Sequence, residues 1–279
     1  MGDRVTYRSL MVHLDLEQGS ESALRAACEL ADRFKSRVIG VTAGLPAAPI
    51  HADGMIASSV LEVDFEKLNE AIGRCEARFR TALKDFGGAL EWRSGTANPA
   101  DFLAAEARAA DLLVVGRSET YAAFGPHQLL DIGDAVMKAG RPVLVVPPRR
   151  TSLTFDRILV AWKDSAESRR AVSAALPLLR KVTEVTVIEI VAEEGEREAA
   201  TTRVADVANW LSYHGVQASA RAELSAGDAG RQLDAIAAEA RIDVIVAGAY
   251  GHARLQEWIF GGVTRHLLQH GSVCLLLVH

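Results

Sequence analysis

Four glycines and a threonine near the end of the chain are spaced as a polyphosphate site requires. The apolar run Val244 to Ala247 leads into Gly248-Ala249-Tyr250-Gly251. Nine residues follow, His252 to Phe260, and then Gly261-Gly262-Val263-Thr264 opens a helix that continues Arg265-His266-Leu267-Leu268. Glycine turns through positive φ and lets a ligand approach the main chain closely. A helix start offers unpaired N–H groups and the positive end of the peptide dipoles. Strand end, glycine loop and helix start in that order form a cradle for phosphate oxygens, with the Thr264 hydroxyl as an added donor. His252, Arg254 and His266, in or beside the loop, could neutralise phosphate charge. The plainer alternative is two tight turns and a helix capped by Thr264, with His252 and Arg254 as solvated loop residues.

The elements that position this loop occur twice. Asp111-Leu112-Leu113-Val114-Val115-Gly116 is echoed by Asp243-Val244-Ile245-Val246-Ala247-Gly248, 132 residues on (243 − 111). The opening run Leu10 to Leu14 pairs with Ile158 to Trp162, 148 residues on (158 − 10), and Pro142 to Pro147 pairs with Ser272 to Leu277. A period this long means duplicated domains, not a solenoid. The changing offset places extra residues in the first copy around Ala43 to Ser59. The seam is Pro147-Pro148-Arg149-Arg150-Thr151-Ser152, without apolar periodicity and with two prolines that cannot donate ladder bonds. The expected domains are therefore 1–148 and 153–279.

Short, continuous apolar runs read as strands buried on both faces. In the first copy they are Leu10 to Leu14, Val38 to Val41, Leu90 to Arg93, Leu112 to Val115 and Val143 to Val146. In the second they are Ile158 to Trp162, Val185 to Ile190, Ala218 to Ala222, Val244 to Ala247 and Val273 to Val278. Amphipathic helices separate them, for example Glu21 to Lys35 and Ser168 to Arg180. The helix Val60 to Phe86 carries Leu61, Phe65, Leu68, Ile72, Cys75 and Phe79 on one stripe, and its shorter counterpart is Arg197 to His214. Alternation of this kind predicts parallel sheets with helices on both faces. Ligands on such sheets bind outside the carboxyl ends of the strands.

Around the loop, several residues read as scaffold. Ser165, after Asp164, caps the helix that starts near Ala166, and Ser20 does the same in the first copy. Trp162 packs. Trp258, among Leu255, Ile259 and Phe260, either forms a flap or docks on the other domain, and docking is favoured. Cys274 is a buried, inert thiol. Ala43 to Gly54 is a Pro/Ala-rich loop or lid.

Composition closes off other classes. The chain has 31 Lys+Arg against 36 Asp+Glu, a net charge of −5, which argues against a nucleic-acid footprint. It holds no apolar run long enough to span a bilayer, and its start does not read as a secretory signal. The three cysteines, Cys28, Cys75 and Cys274, are widely spaced, suit a reducing cytoplasm and make no metal pattern. No zincin spacing, nucleophile elbow or P-loop lysine occurs.

The pattern G-x2-G-x9-G at the fourth strand of an α/β domain resembles the ATP-binding signature of the universal stress protein (UspA) family, and the whole chain resembles a tandem member. The resemblance implies two Rossmann-like (adenine nucleotide α-hydrolase-like) domains, each a five-stranded parallel sheet in order 3-2-1-4-5. It implies ATP or a related adenine nucleotide held across strands 1 and 4, with Mg²⁺ accompanying ATP. Gly248, Gly251 and Gly261 fall on the three glycines of the signature. Gly262 stands where the family has its first hydroxyl residue, and Thr264 supplies the second; Val263 lies between them. At the end of strand 1, where binding members carry an Asp near the ribose, the first copy has Asp15 and the second Lys163, just beyond Ala161. Lysine cannot accept from ribose hydroxyls but can reach a phosphate as a point charge. In the first copy Glu119 replaces the second glycine and Asp134 sits where a phosphate needs a donor, so repulsion leaves that site degenerate.

The function expected from all this is a cytoplasmic stress-response protein that binds an adenine nucleotide in its second domain and acts as a sensor or interaction module. At most it hydrolyses ATP slowly, since no dedicated base or paired acids are present. The alternative is an interaction module whose glycine loop is structural. Edge strands mediate dimers in the family, so Val143 to Val146 and Val273 to Val278 are expected to meet, giving a pseudo-dimer within one chain. A further two-fold homodimer is compatible with this.

Overall fold

The apolar runs become strands because both their faces are covered. In the computed structural model, which describes residues 6–16, 20–46, 58–117, 129–148, 153–249 and 262–279, every residue of Ser9–His13, Val143–Val146 and Cys274–Val278 is buried. The chain divides into two units, Tyr7–Ala139 and Gly140–His279.

The first unit contains β1 (Ser9–His13), α1 (Glu21–Phe34), β2 (Arg37–Gly44), α2 (Ser58–Ala82), β3 (Leu90–Thr96), α3 (Pro99–Glu106), β4 (Leu112–Gly116) and α4 (Ile132–Lys138). Its strands are parallel, in the order β3-β2-β1-β4. Helix α1 buries Leu24, Ala27, Leu30, Ala31 and Phe34 on one face and stops where Lys35 turns left-handed at φ 56°. Helix α2 buries Leu68, Cys75 and Phe79 on its expected stripe, but Phe65 is 43% exposed. Twenty-five residues of helix span about 37 Å, whereas the eight-residue β2 beneath spans about 26 Å, so the first turns of α2 overhang the sheet.

The second unit contains β5 (Val143–Val146), β6 (Arg157–Ala161), α5 (Ala166–Leu179), β7 (Glu184–Val191), α6 (Arg197–Tyr213), β8 (Ser219–Leu224), α7 (Ala229–Glu239), β9 (Val244–Gly248), α8 (Gly262–His270) and β10 (Cys274–Val278). Five of its strands form the parallel series β8-β7-β6-β9-β10, the 3-2-1-4-5 order expected for a complete copy. The sixth, β5, closes the first repeat in sequence yet runs antiparallel beside β10, with Leu144 opposite Leu276. The two apolar closing strands therefore meet as anticipated. Each is buried along its whole length, so neither is left as a bare edge.

The duplicated aspartates have a shared structural task. Asp111 accepts the amides of Arg8 (2.8 Å) and Ser9 (2.9 Å), tying the start of β4 to the start of β1. Asp243 accepts those of Asp156 (2.8 Å) and Arg157 (3.1 Å) and the Thr154 hydroxyl (2.9 Å), tying β9 to β6. The helices that precede these strands are capped alike. Asn98 accepts from Ala100 and Asp101 at the start of α3, and Asp228 accepts from Gly230 and Arg231 at the start of α7.

Candidate functional site

Strands β6 and β9 pair in parallel with Ala161 level with Ala247, so Trp162 and Lys163 leave one strand beside Gly248 on the other. The Trp162 amide still donates to Ile188 on β7 (2.8 Å), but the next residue turns away into a serine-built loop. The Lys163 amide donates to Ser168 Oγ (3.3 Å), and Ser165 Oγ accepts the Ser168 amide (3.2 Å) as the cap of α5. The Lys163 side chain is exposed and Ala161 is half-buried. The Trp162 indole Nε1 is buried with no hydrogen-bond partner among the described residues.

Gly248 is where the two strands and α5 crowd together. A Cβ there would lie 2.6 Å from the Ser168 nitrogen and 2.7 Å from both the carbonyl carbon and Cβ of Glu167. The absence of a side chain at 248 is thus required by the first turn of α5. Glu167 itself is buried, and its Oε1 accepts from Arg170 Nη2 (3.0 Å). Its carboxylate stands in the first turn of α5, where the helix dipole favours negative charge.

Gly262, the first residue of α8, is exposed, and a Cβ there would meet none of the described residues within 4 Å. Val263 is half-buried and Thr264 is buried. His266 faces α7: a Cβ on Gly230 would come within 2.6 Å of its Cβ, and its ring stacks on His270 at 5.0 Å. It also lies near Asp228, whose carboxyl is held below its usual range mainly by the Arg231 amide, with the Gly230 amide and His266 adding to the effect. Gly251 and Gly261 of the signature, with His252, Arg254, Leu255, Trp258, Ile259 and Phe260, lie outside the described residues.

In the first unit the equivalent loop has the same skeleton. The Asp15 amide donates to Ser20 Oγ (2.9 Å), the counterpart of Lys163 and Ser168 at the shared offset of 148 residues (163 − 15, 168 − 20). Ser20 therefore departs from the expected capping role. It occupies the N-cap position of α1 but makes no side-chain capping bond, because its hydroxyl is spent on the Asp15 amide. Asp15 is buried. Its carbonyl accepts from Arg78 Nη2 (2.7 Å) and Cys75 Sγ (3.3 Å) on α2, and its Oδ1 lies 3.7 Å from His13 Nδ1. Burial pushes the Asp15 carboxyl up and the His13 imidazole down, each opposed by the other's charge. His13 Nε2 has no hydrogen-bond partner among the described residues. Nothing in the residue spacing pointed to this node of His13, Asp15, Cys75 and Arg78. The serine five residues beyond Asp15 and beyond Lys163 was the one legible sign of its loop.

Further along, Asp131 caps α4 by accepting the Asp134 amide (3.0 Å), and Asp134 is paired with Lys138 (2.9 Å), which also holds Asp101 (2.7 Å). A helix-start amide in this unit is thus met by the chain's own carboxylate. Glu119 lies outside the described residues.

Among the described residues no helix is long and apolar enough to cross a membrane, and no group of three or more His, Cys, Asp or Glu side chains could hold a metal ion.

The sequence matches the model of the universal stress protein family twice, over residues 6–147 and 154–279. No curated protein matches it. Among solved structures it is similar to a universal stress protein from Archaeoglobus fulgidus (TM-score 0.69, 17% identity, 97% of this chain and 95% of that one covered). It is also similar to a functionally unknown protein from Pseudomonas aeruginosa (TM-score 0.63, 15% identity, 98% and 92% covered). At these identities the solved structures speak to fold alone, and the likeness covers nearly the full length of this chain. Two family matches in tandem, on two units with the same strand order and the same serine-closed loop after their first strands, make the chain a member of the universal stress protein family.

Proposed function

We propose that the Gly140–His279 unit binds an adenine nucleotide, ATP or AMP, at the carboxyl ends of β6 and β9. In this reading Gly248, Gly251, Gly261, Gly262, Val263 and Thr264 face the phosphates with main-chain amides and one hydroxyl, and Lys163 adds a point charge beside Ala161. The observation that carries it is the start of α8. Gly262 is exposed and no described residue lies within 4 Å of where its Cβ would be, which supports access of an anion to the first amides of a nine-residue helix. The buried Trp162 N–H on the neighbouring strand end, without an acceptor among the described residues, is a second donor that supports this reading. Mg²⁺, when present, travels with the phosphates of ATP.

The first unit, in the same reading, is a degenerate partner. Its Asp15 is enclosed by His13, Cys75 and Arg78, and Asp131 and Asp134 place carboxylates at the helix start. The pairing of β5 with β10 supports its role as half of a pseudo-dimer built from domains 1–148 and 153–279. The protein would act in the cytoplasm as a stress-response sensor or interaction module, with slow ATP hydrolysis at most, and could pair further as a homodimer.

A second reading, in which the glycine loop is structural and the protein only an interaction module, draws on Gly248, whose missing side chain is already explained by α5. Titration of the full chain with a fluorescent ATP analogue, competed by ATP and AMP, separates the two. Saturable binding is expected, weakened by about tenfold in Lys163→Ala and abolished by a bulky residue at Gly251. No binding by the wild-type chain selects the second reading.

A further inference from the structure

A cleft of about 530 Å³ in the Gly140–His279 unit exists only because β5 joins β10. One wall is the turn into β5, Gly140 to Pro142; the other is the outer face of α5; the floor includes Val278 and His279. Three guanidinium groups bound it, from Arg141, Arg169 and Arg170. Asp164 and Glu167 offset two of these charges, and Arg141 leaves the cleft a positive excess in a chain of net charge −5.

The three arginines are not equivalent. Arg169 is held by Asp164 (2.6 Å), while Arg170 is held by Glu167 (3.0 Å) and donates from Nε to the His279 carbonyl (3.1 Å). A guanidinium has five N–H donors in a fixed fork, so both keep donors beyond those bonds while their side chains are already oriented. Arg141 is exposed and makes no ion pair or hydrogen bond with the described residues. It follows Gly140, whose φ of +58° sets the turn that places it at the mouth. Pro142, Ala174 and Val278 supply apolar surface between the charges. Three arginine side chains beside apolar surface suit a ligand that presents both carboxylates and apolar side chains.

We propose that this cleft is a docking site for an acidic, extended segment of a partner protein. Its floor is wired to the strand end described above: Val278 accepts the Ala249 amide (2.8 Å), and His279 Nδ1 lies 3.3 Å from the Ala249 carbonyl, one residue beyond Gly248. Docking stands independently of nucleotide binding, because none of the cleft residues belongs to the proposed phosphate cradle.

The test uses the full chain and a fluorescently labelled peptide of alternating glutamate and leucine, followed by anisotropy, with the glutamine-for-glutamate peptide as its neutral counterpart. The acidic peptide should bind at least about tenfold more tightly than the neutral one, and the preference should shrink as salt rises. Arg141→Glu with Arg169→Glu should remove the preference. Arg221→Glu, an equally exposed arginine on β8 outside the cleft, should leave it intact, with melting curves confirming that all variants are folded. Equal binding of the two peptides, or equal weakening by the cleft and β8 variants, overturns the proposal. So does full displacement of the acidic peptide by inorganic phosphate at a concentration that leaves its salt response unchanged, since the site would then be one for a compact anion.

Discussion

The two glycines that bracket the strand end and α8 should respond oppositely to the same small perturbation. In Gly248→Ala the new methyl would lie 2.6 Å from the Ser168 nitrogen and 2.7 Å from two atoms of Glu167. Two of those three atoms are main chain in the first turn of α5, and they cannot swing aside as the tip of a side chain can. Overpacking typically costs about 1–3 kcal/mol, and backbone overlap places this case in the upper part of that range. For a unit of this size each kcal/mol lowers the melting temperature by roughly 3–5 °C, so a fall of about 6–15 °C is expected. Gly262→Ala meets none of the described residues within 4 Å and has no positive φ to relieve, so its melting temperature should stay within about 2 °C of wild type or rise slightly. Calorimetry of the full chain, checked by urea midpoints, reads both. If Gly248→Ala melts with the wild type, the close approach of α5 is wrong and the glycine must be explained by a ligand instead. If Gly262→Ala is the destabilised member, α8 does not begin in open space and the anion reading loses its support.

Three further perturbations probe the scaffold. Burial holds His13 neutral below its ordinary value of 6.5, so the unfolded chain takes up a proton that the folded one refuses. Stability should therefore fall as pH drops below about 6.5, and the wild-type urea midpoint should decline toward pH 5 more steeply than that of His13→Gln. Asp243→Ala strips the acceptor from two backbone amides and the Thr154 hydroxyl and should cost about 3 kcal/mol by urea denaturation, with Asp243→Asn recovering part; an unchanged midpoint would remove the aspartate from its role as the β6–β9 tie. Ser168→Ala frees the Lys163 amide and should cost about 1 kcal/mol, as should Ser20→Ala for Asp15; a difference of several fold between the twins would break the equivalence of the two loops.

The candidate site was legible in its positions more than in its contacts. Strand ends and helix starts follow from runs of apolar residues and from caps such as Ser165 and Asp228, which act through neighbours a few residues away. What surrounds them does not. Gly248 reads in the sequence as a ligand-approach glycine, yet its Cβ space is filled by Glu167 and Ser168, eighty residues upstream. Asp15 reads as the ribose acceptor of a lost site, yet His13 beside it and Cys75 and Arg78 from a helix some sixty residues on enclose it. Ser20 reads as a cap because of its place before Glu21, but the amide it serves lies on the strand side of the loop.

By itself the sequence determined the number of repeats, the alternation of strand and helix, and the glycine pattern. All of these are short-range properties, set by hydrophobic period and by local turn chemistry. Only the tertiary structure decided that β5 runs antiparallel beside β10 and so builds an arginine-lined cleft. It also decided which of the duplicated polar residues face solvent and which are buried against one another. Strand partners and burial depend on surfaces brought together from distant parts of the chain. A run such as Val143 to Val146 states that it must be covered on both faces, without stating by what.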